Sequence, residues 1–140
     1  LHLSIRRQRQ MCIRDRFWEI PERIQELVDR YNTSDKTLHP IEKAAHFHAA
    51  FETIHPFHDG NGRTGRLLLN YMLVREGFWP VNIRHAEDRV RYYDALASYN
   101  ETDNADELTC LIAQRAAEQL EYCNEIARQQ EAAQAMRQQR

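Results

Sequence analysis

The sequence predicts an all-α fold, a bundle of helices with a phosphate-binding loop at the N-terminus of a buried central helix. Three observations carry this. Glycine and proline number only four each in 140 residues, so few positions interrupt a helix. The valine- and threonine-rich runs that build strands are missing. Apolar residues instead recur at three- and four-residue spacing through most of the chain. The length suits one domain with a real core, and 42% apolar with 29% charged residues is ordinary for a globular protein.

Residues 1–16, LHLSIRRQRQMCIRDR, stand apart from the rest, with five arginines against a single acid, Asp15. A basic arm for nucleic acid and an unstructured tail are two readings. "IRRQRQMCIRD" also resembles translated sequencing-adaptor read-through, and the stretch is set aside as foreign or disordered. Without it, basic residues fall from 19 to 14 and acids from 21 to 20, which moves the net charge from −2 to −6. That acidic remainder argues against a nucleic-acid partner. No apolar segment follows the basic start as it does in a secretory signal. The longest apolar stretch, 67–74, is interrupted by Asn70 and too short to span a bilayer, so no membrane partner is expected. Cys12, Cys110 and Cys123 form no C-x-x-C pattern. Cys110 and Cys123 fall about 220° apart around one helix, so reduced thiols in a cytoplasmic protein are expected.

The domain proper is expected over 17–126. In "IPERIQELVDRY", Ile24, Leu27, Val28 and Tyr31 form the stripe of an amphipathic helix, with Pro21 and Glu22 suited to its first turn. After the polar "NTSDKTLH", a second helix begins at Pro40. Ile41, Ala44, Ala45, His48 and Phe51 line one side, and Phe47 and Ile54 widen it. Pro56 excludes His55 from the right-handed helical region, so this helix ends near Ile54. A third helix runs from about Gly62 to Glu76. Leu67, Leu68, Leu69, Tyr71, Met72, Leu73 and Val74 make it apolar nearly all round, which predicts the buried centre of the bundle, and Gly77 closes it. Asp88 is the expected N-cap of a fourth helix carrying Val90, Tyr93, Leu96 and Ala97. A last helix starts near Ala105 and shows Leu108, Leu111, Ile112, Leu120 and Ile126. Residues 127–140 form a polar extension expected to fray.

Between the second and third helices stands "HPFHDGNGRTGR", residues 55–66. Gly60, Gly62 and Gly65 spell G-x-G-x-x-G, but a dinucleotide fold needs a strand before them, and the preceding segment is helical. A P-loop is excluded because Arg66 and Leu67 stand where lysine and a hydroxyl residue belong. A zinc site from His46, His48, His55, His58 and Asp59 fares poorly, since His46 and His48 diverge by about 200° on their helix. His46 is expected to be exposed and His48 partly buried and hydrogen-bonded. A phosphate cradle remains. Gly60 and Gly62 let successive N–H groups turn inward at a helix N-terminus. Arg63 and Arg66 share one side of the helix and can grip a polyphosphate. Asp59 is a hard oxygen ligand for Mg²⁺, His55 is a base of near-neutral pKa at the loop's start, and Phe57 is expected to be a buried anchor.

These residues resemble the motif of the Fic family, H-P-F-x-D/E-G-N-G-R-x-x-R. His55, Pro56, Phe57, Asp59, Gly60, Asn61, Gly62, Arg63 and Arg66 fill its specified positions, and the likeness runs from about Ile20 to Ile126, through "TLHPIEKAAHFHAAFETIHPF" and "RYYDALASYN". The resemblance implies a protein adenylyltransferase that moves AMP from ATP to a Ser, Thr or Tyr hydroxyl of a target protein. His55 would be the catalytic base and Asp59 the Mg²⁺ ligand. Asn61 with the Gly60 and Gly62 amides would form an anion hole, and Arg63 and Arg66 would hold the β- and γ-phosphates. Thr64 and Gly65 would complete the nucleotide-binding loop. Tyr92, Tyr93 and Asn100 would lie near adenine and ribose. The resemblance also covers kinase-like and phosphocholine-transferring relatives, although Gly62 speaks against the kinase-like branch. A nucleotide-binding fragment without turnover is the non-enzymatic alternative. The target-binding hairpin flap of such proteins would lie before "FWEIPERI", where the adaptor-like stretch stands. The inhibitory pattern [S/T]-x-x-x-E-[G/N] finds no match, which implies an N-terminal inhibitory helix lost with the true N-terminus or an antitoxin that supplies it.

Overall fold

A computed structural model describes residues 17–33, 38–83 and 86–138; the expectations for residues 1–16 lie outside it. A single 3₁₀ turn, Phe17–Glu19, leads into five helices: α1 (Ile20–Thr33), α2 (Pro40–Ile54), α3 (Asn61–Arg75), α4 (Arg89–Thr102) and α5 (Asp106–Gln138). No strand occurs among the described residues. None of the helices is long and apolar enough to cross a membrane.

The helix that organises the bundle is α2, which packs against all four others. Its composition explains this. Ala44, Ala45 and Ala49 are fully covered, and such small side chains let neighbouring helices approach on several sides at once. Pro40 opens α2 at its first position, where the missing N–H costs nothing. His39 Nδ1 accepts from the Ile41 N–H at 3.3 Å, while the His39 N–H donates to Glu42 at 3.0 Å. The sequence expectation that the helix from about Gly62 to Glu76 forms the buried centre is corrected accordingly. α3 buries Asn61, Gly65, Leu69, Met72 and Leu73, but Leu67 is 70% exposed, with Tyr71 and Val74 also outward.

Two further stripes shift. On α4 the covered residues are Tyr92, Ala95, Leu96 and Tyr99, whereas Val90 is exposed. On α5 Leu108, Leu111 and Ile112 are buried, Leu120 is exposed, and the helix continues through the polar extension to Gln138. Asp88 does precede α4, yet its side chain makes no cap. It is 1% exposed and takes two hydrogen bonds from Arg115 of α5, Nε to Oδ2 at 2.9 Å and a terminal nitrogen to Oδ1 at 2.5 Å. Arg115 also binds Glu118. The Asp88 hydrogen bonds, foremost among these contacts, hold its guanidinium well above the usual arginine range. This bidentate pair locks the start of α4 onto α5.

Both Cys110 and Cys123 are free thiols. Between α3 and α4, Asn70 bridges the Val81 backbone, accepting from its N–H at 2.7 Å and donating to its carbonyl at 3.1 Å. The residue that broke the apolar run is thus the pin of the connector. Gly77, at φ 86°, ends α3 in the left-handed conformation that glycine adopts without strain.

Candidate active site

The loop 55–60 joins the C-terminus of α2 to the N-terminus of α3, and two left-handed residues bound it. His55 caps α2 at φ 52°, ψ 56°, its N–H donating to the Phe51 carbonyl at 2.9 Å. Pro56 accounts for its departure from the right-handed helix. Gly60, at φ 85°, caps the start of α3 and accepts from the Thr64 N–H at 2.9 Å. The first turn of α3 therefore leaves the N–H groups of Asn61, Gly62 and Arg63 with no partner inside the helix, at its positive end.

The loop is held by Asn61. Its side chain is buried, accepts from the Phe57 N–H at 2.8 Å and donates to the Phe57 carbonyl at 2.6 Å. That corrects the expectation for Phe57. Its ring is 49% exposed, touching Phe51 at 6.2 Å between centroids, so the loop's anchor is the backbone of Phe57 and not its side chain. It also redirects Asn61, whose amide is occupied by the loop while its backbone N–H remains directed along the helix axis.

Both arginines fold back over the glycines. The guanidinium of Arg63 stands 3.4 Å from the place a Gly60 Cβ would take, and that of Arg66 stands 3.2 Å from the corresponding place at Gly62. A side chain at either glycine would meet a guanidinium. Arg63 also reaches Asp59 at 3.1 Å, an ion pair in which both side chains are largely exposed, so it contributes little stability and leaves both groups accessible. Gly65 does not belong to the cradle. It is buried, and a Cβ there would stand 3.1 Å from His48 Cε1 and against Glu52; it is a glycine of close helix approach.

Arg66 turns inward to α4. Its positive charge acts on the Tyr92 hydroxyl, which lies 2.8 Å from His48 Nε2 on α2. Tyr92 is only 6% exposed. Burial, and then the nearby Glu52 carboxylate, push its hydroxyl well above the ordinary tyrosine range. His48 is fully buried, deeper than expected, and burial lowers its pKa to about 4. Tyr93 is half-buried with its ring edge-on to Tyr92 at 5.4 Å. Asn100 is exposed further along α4, where it accepts from Thr53 of α2 at 2.6 Å. His46 is half-buried against the Tyr99 ring, not exposed. No group of three or more His, Cys, Asp or Glu suited to a metal occurs among the described residues.

Residues 8–73 match the Fic/DOC family. The chain belongs to that family. Over 102 residues, 69% of this chain, it is 42% identical to "Protein adenylyltransferase Fic" of Nematostella vectensis, of which it spans 24%. It is 47% identical over 78 residues to "Protein adenylyltransferase fic-1" of Caenorhabditis elegans, spanning 15% of that protein. The chain thus covers a quarter or less of these curated relatives. Among solved structures, residues 134–508 of C. elegans Fic-1 superpose with a TM-score of 0.65 at 36% identity, over 74% of this chain and 31% of that one. A Fic domain protein of Bacteroides thetaiotaomicron gives 0.59 at 31% identity, over 72% and 42%.

On this Fic scaffold, 55–66 gathers His55, Asp59, Gly60, Asn61, Gly62, Arg63 and Arg66 at one junction. The charge of Arg66 is felt by the buried Tyr92 hydroxyl, whereas Asn100 stands apart near Thr53. Sequence reasoning missed the partnership of His48 with Tyr92 and of Asp88 with Arg115. The signal for the first was present as a histidine on an apolar helix face 44 residues from a tyrosine. Only the fold brings the two together.

Proposed function

We propose that this chain is the core of a protein adenylyltransferase, transferring AMP from ATP to a Ser, Thr or Tyr hydroxyl of a target protein. One observation carries this reading. A histidine that caps α2 is joined by a short loop to the unsatisfied first-turn amides of α3, where two guanidinium groups lie over Gly60 and Gly62. Such a junction receives a phosphate chain and a proton together.

In the reaction the target hydroxyl oxygen bonds to the α-phosphorus as the bond to the bridging oxygen breaks. His55 takes the hydroxyl proton. The electron pair leaves on pyrophosphate, whose charge Arg63 and Arg66 neutralise. The N–H groups of Gly60, Asn61 and Gly62 receive the charge on the non-bridging oxygens. The fit of a divalent cation rests on Asp59, a hard oxygen donor whose present partner is an exposed arginine. Mg²⁺ held there would neutralise phosphate charge. Tyr93 and Asn100, on the accessible side of α4, serve the nucleoside end. An inhibitory helix or an antitoxin would act by competing for Arg66. The two free thiols are in keeping with a cytoplasmic setting.

The test is pyrophosphate release from ATP–Mg²⁺ in the presence of a cell extract as the source of target hydroxyls. His55→Ala is expected to lower the rate by about 10²–10⁴-fold, the usual share of a general base. An unchanged rate would refute the assignment.

A further inference from the structure

Thr53 stands in the last turn of α2, just before the capping His55. Its hydroxyl has two oxygens in reach, the Ala49 carbonyl at 2.8 Å and Asn100 Oδ1 of α4 at 2.6 Å. A threonine hydroxyl has one proton and can serve only one of them at a time. The Ala49 carbonyl already accepts the Thr53 N–H in the helix ladder, so the shorter contact, to Asn100, takes the proton. A carboxamide has an accepting end and a donating end. With Oδ1 drawn to Thr53, the two Nδ2 protons are turned away from it. Asn100 is exposed, so these donors are available to a ligand. An exposed neutral hydrogen bond adds little to the stability of the fold. What this one fixes is a rotor, because the terminal torsion of an asparagine is broad and roughly two-fold. An untied amide would show either end.

We infer that Thr53 is a positioning residue for Asn100, holding its carboxamide so that N–H donors meet the nucleoside. The inference rests on reading Asn100 as a nucleoside contact. Two donors suit the acceptors of a purine nucleoside, its unprotonated ring nitrogens and ribose oxygens, and do not suit an exocyclic amino group. Asn100 stands apart from the phosphate loop beside Thr53, as the nucleoside end of a nucleotide does from its phosphates. An amide held in its binding orientation loses less freedom when the ligand arrives, which is the advantage of preorganisation. The tie also comes from the turn of α2 that ends at His55. One short stretch of helix thus places both the nucleoside contact and the base.

Calorimetric titration of the full chain with ATP, AMP and inorganic tripolyphosphate tests this, using wild type, Thr53→Val, Thr53→Ser, Asn100→Ala and the Thr53→Val/Asn100→Ala double variant. Valine keeps the shape of threonine and lacks its hydroxyl. Thr53→Val is expected to weaken ATP and AMP by the same factor, roughly fivefold, the share of one neutral hydrogen bond. Tripolyphosphate, which has no nucleoside, should bind as to wild type. Thr53→Ser should restore both nucleotides, because it returns the hydroxyl. The double variant should bind ATP no more weakly than Asn100→Ala, because both changes remove one interaction. A merely structural tie between α2 and α4 would weaken tripolyphosphate along with the nucleotides. That outcome, nucleotide binding unchanged in Thr53→Val, no rescue by serine, or full additivity in the double variant would each overturn the inference. If Asn100→Ala itself binds ATP and AMP as well as wild type, the nucleoside reading of Asn100 fails and the inference falls with it. That failure is recognised without any change at Thr53.

Discussion

Asn61 offers a sharp test of how the loop is held. The family resemblance assigns it to the anion hole, whereas the structure spends its side chain on the Phe57 backbone. Asn61→Ala removes two hydrogen bonds, at 2.8 and 2.6 Å, from a residue only 2% exposed. At about 1 kcal/mol net for each bond, the closed loop loses about 2 kcal/mol against open forms. That corresponds to roughly 30-fold in the opening equilibrium. Amide exchange read by NMR should show the Phe57 N–H, which has no helical partner, exchanging about 30-fold faster. AMP transfer should fall by a smaller factor, because only the closed loop aligns the α3 amides and the closed form still predominates. Phe57 exchange unchanged alongside lost transfer would refute the pinning argument and return Asn61 to direct contact with substrate.

Two other perturbations probe the scaffold. His48 is neutral when folded, with its pKa lowered by burial from 6.5 to about 4. The unfolded chain therefore binds the extra proton between those values, and the stabilisation present above pH 6.5 is lost as pH falls toward 4. Near pH 5 the loss is about 2 kcal/mol. Urea midpoints measured from pH 7 to 4.5 should fall more steeply for wild type than for His48→Gln, and parallel curves would contradict this. Asp88→Ala leaves the Arg115 guanidinium, 8% exposed, without its bidentate partner. It should destabilise the protein by about 3 kcal/mol, whereas replacing both residues by apolar ones should cost much less. Equal losses from the single and double changes would count against the ion pair as the lock between α4 and α5.

What was legible in the sequence follows the range of the interactions involved. Pro40, Pro56 and Gly77 act on their own backbone neighbours, and α2 and α3 lie within a residue or so of where these residues set them. The cradle was legible for the same reason, since eight consecutive residues, 59–66, build its glycines, arginines and carboxylate. Coverage of a helix face was not. Leu67, Tyr71 and Val74 are as apolar as Leu69 and Leu73, and nothing local says which of them a neighbour covers. The α4 stripe was misplaced because a tyrosine is buried comfortably only with a partner for its hydroxyl, and that partner, His48, lies on another helix. Asp88 reads locally as a cap, but the charge that claims it stands 27 residues on.

The central claim is that His55 takes the proton of a hydroxyl attacking the α-phosphate at this junction. The most direct measurement incubates the protein with Mg²⁺, a cell extract and ATP labelled on either the α- or the γ-phosphate, beside a His55→Ala control, and counts label bound to protein. The account predicts label from the α position alone, abolished in the control. Label from the γ position, or α-label that survives the loss of His55, would contradict it.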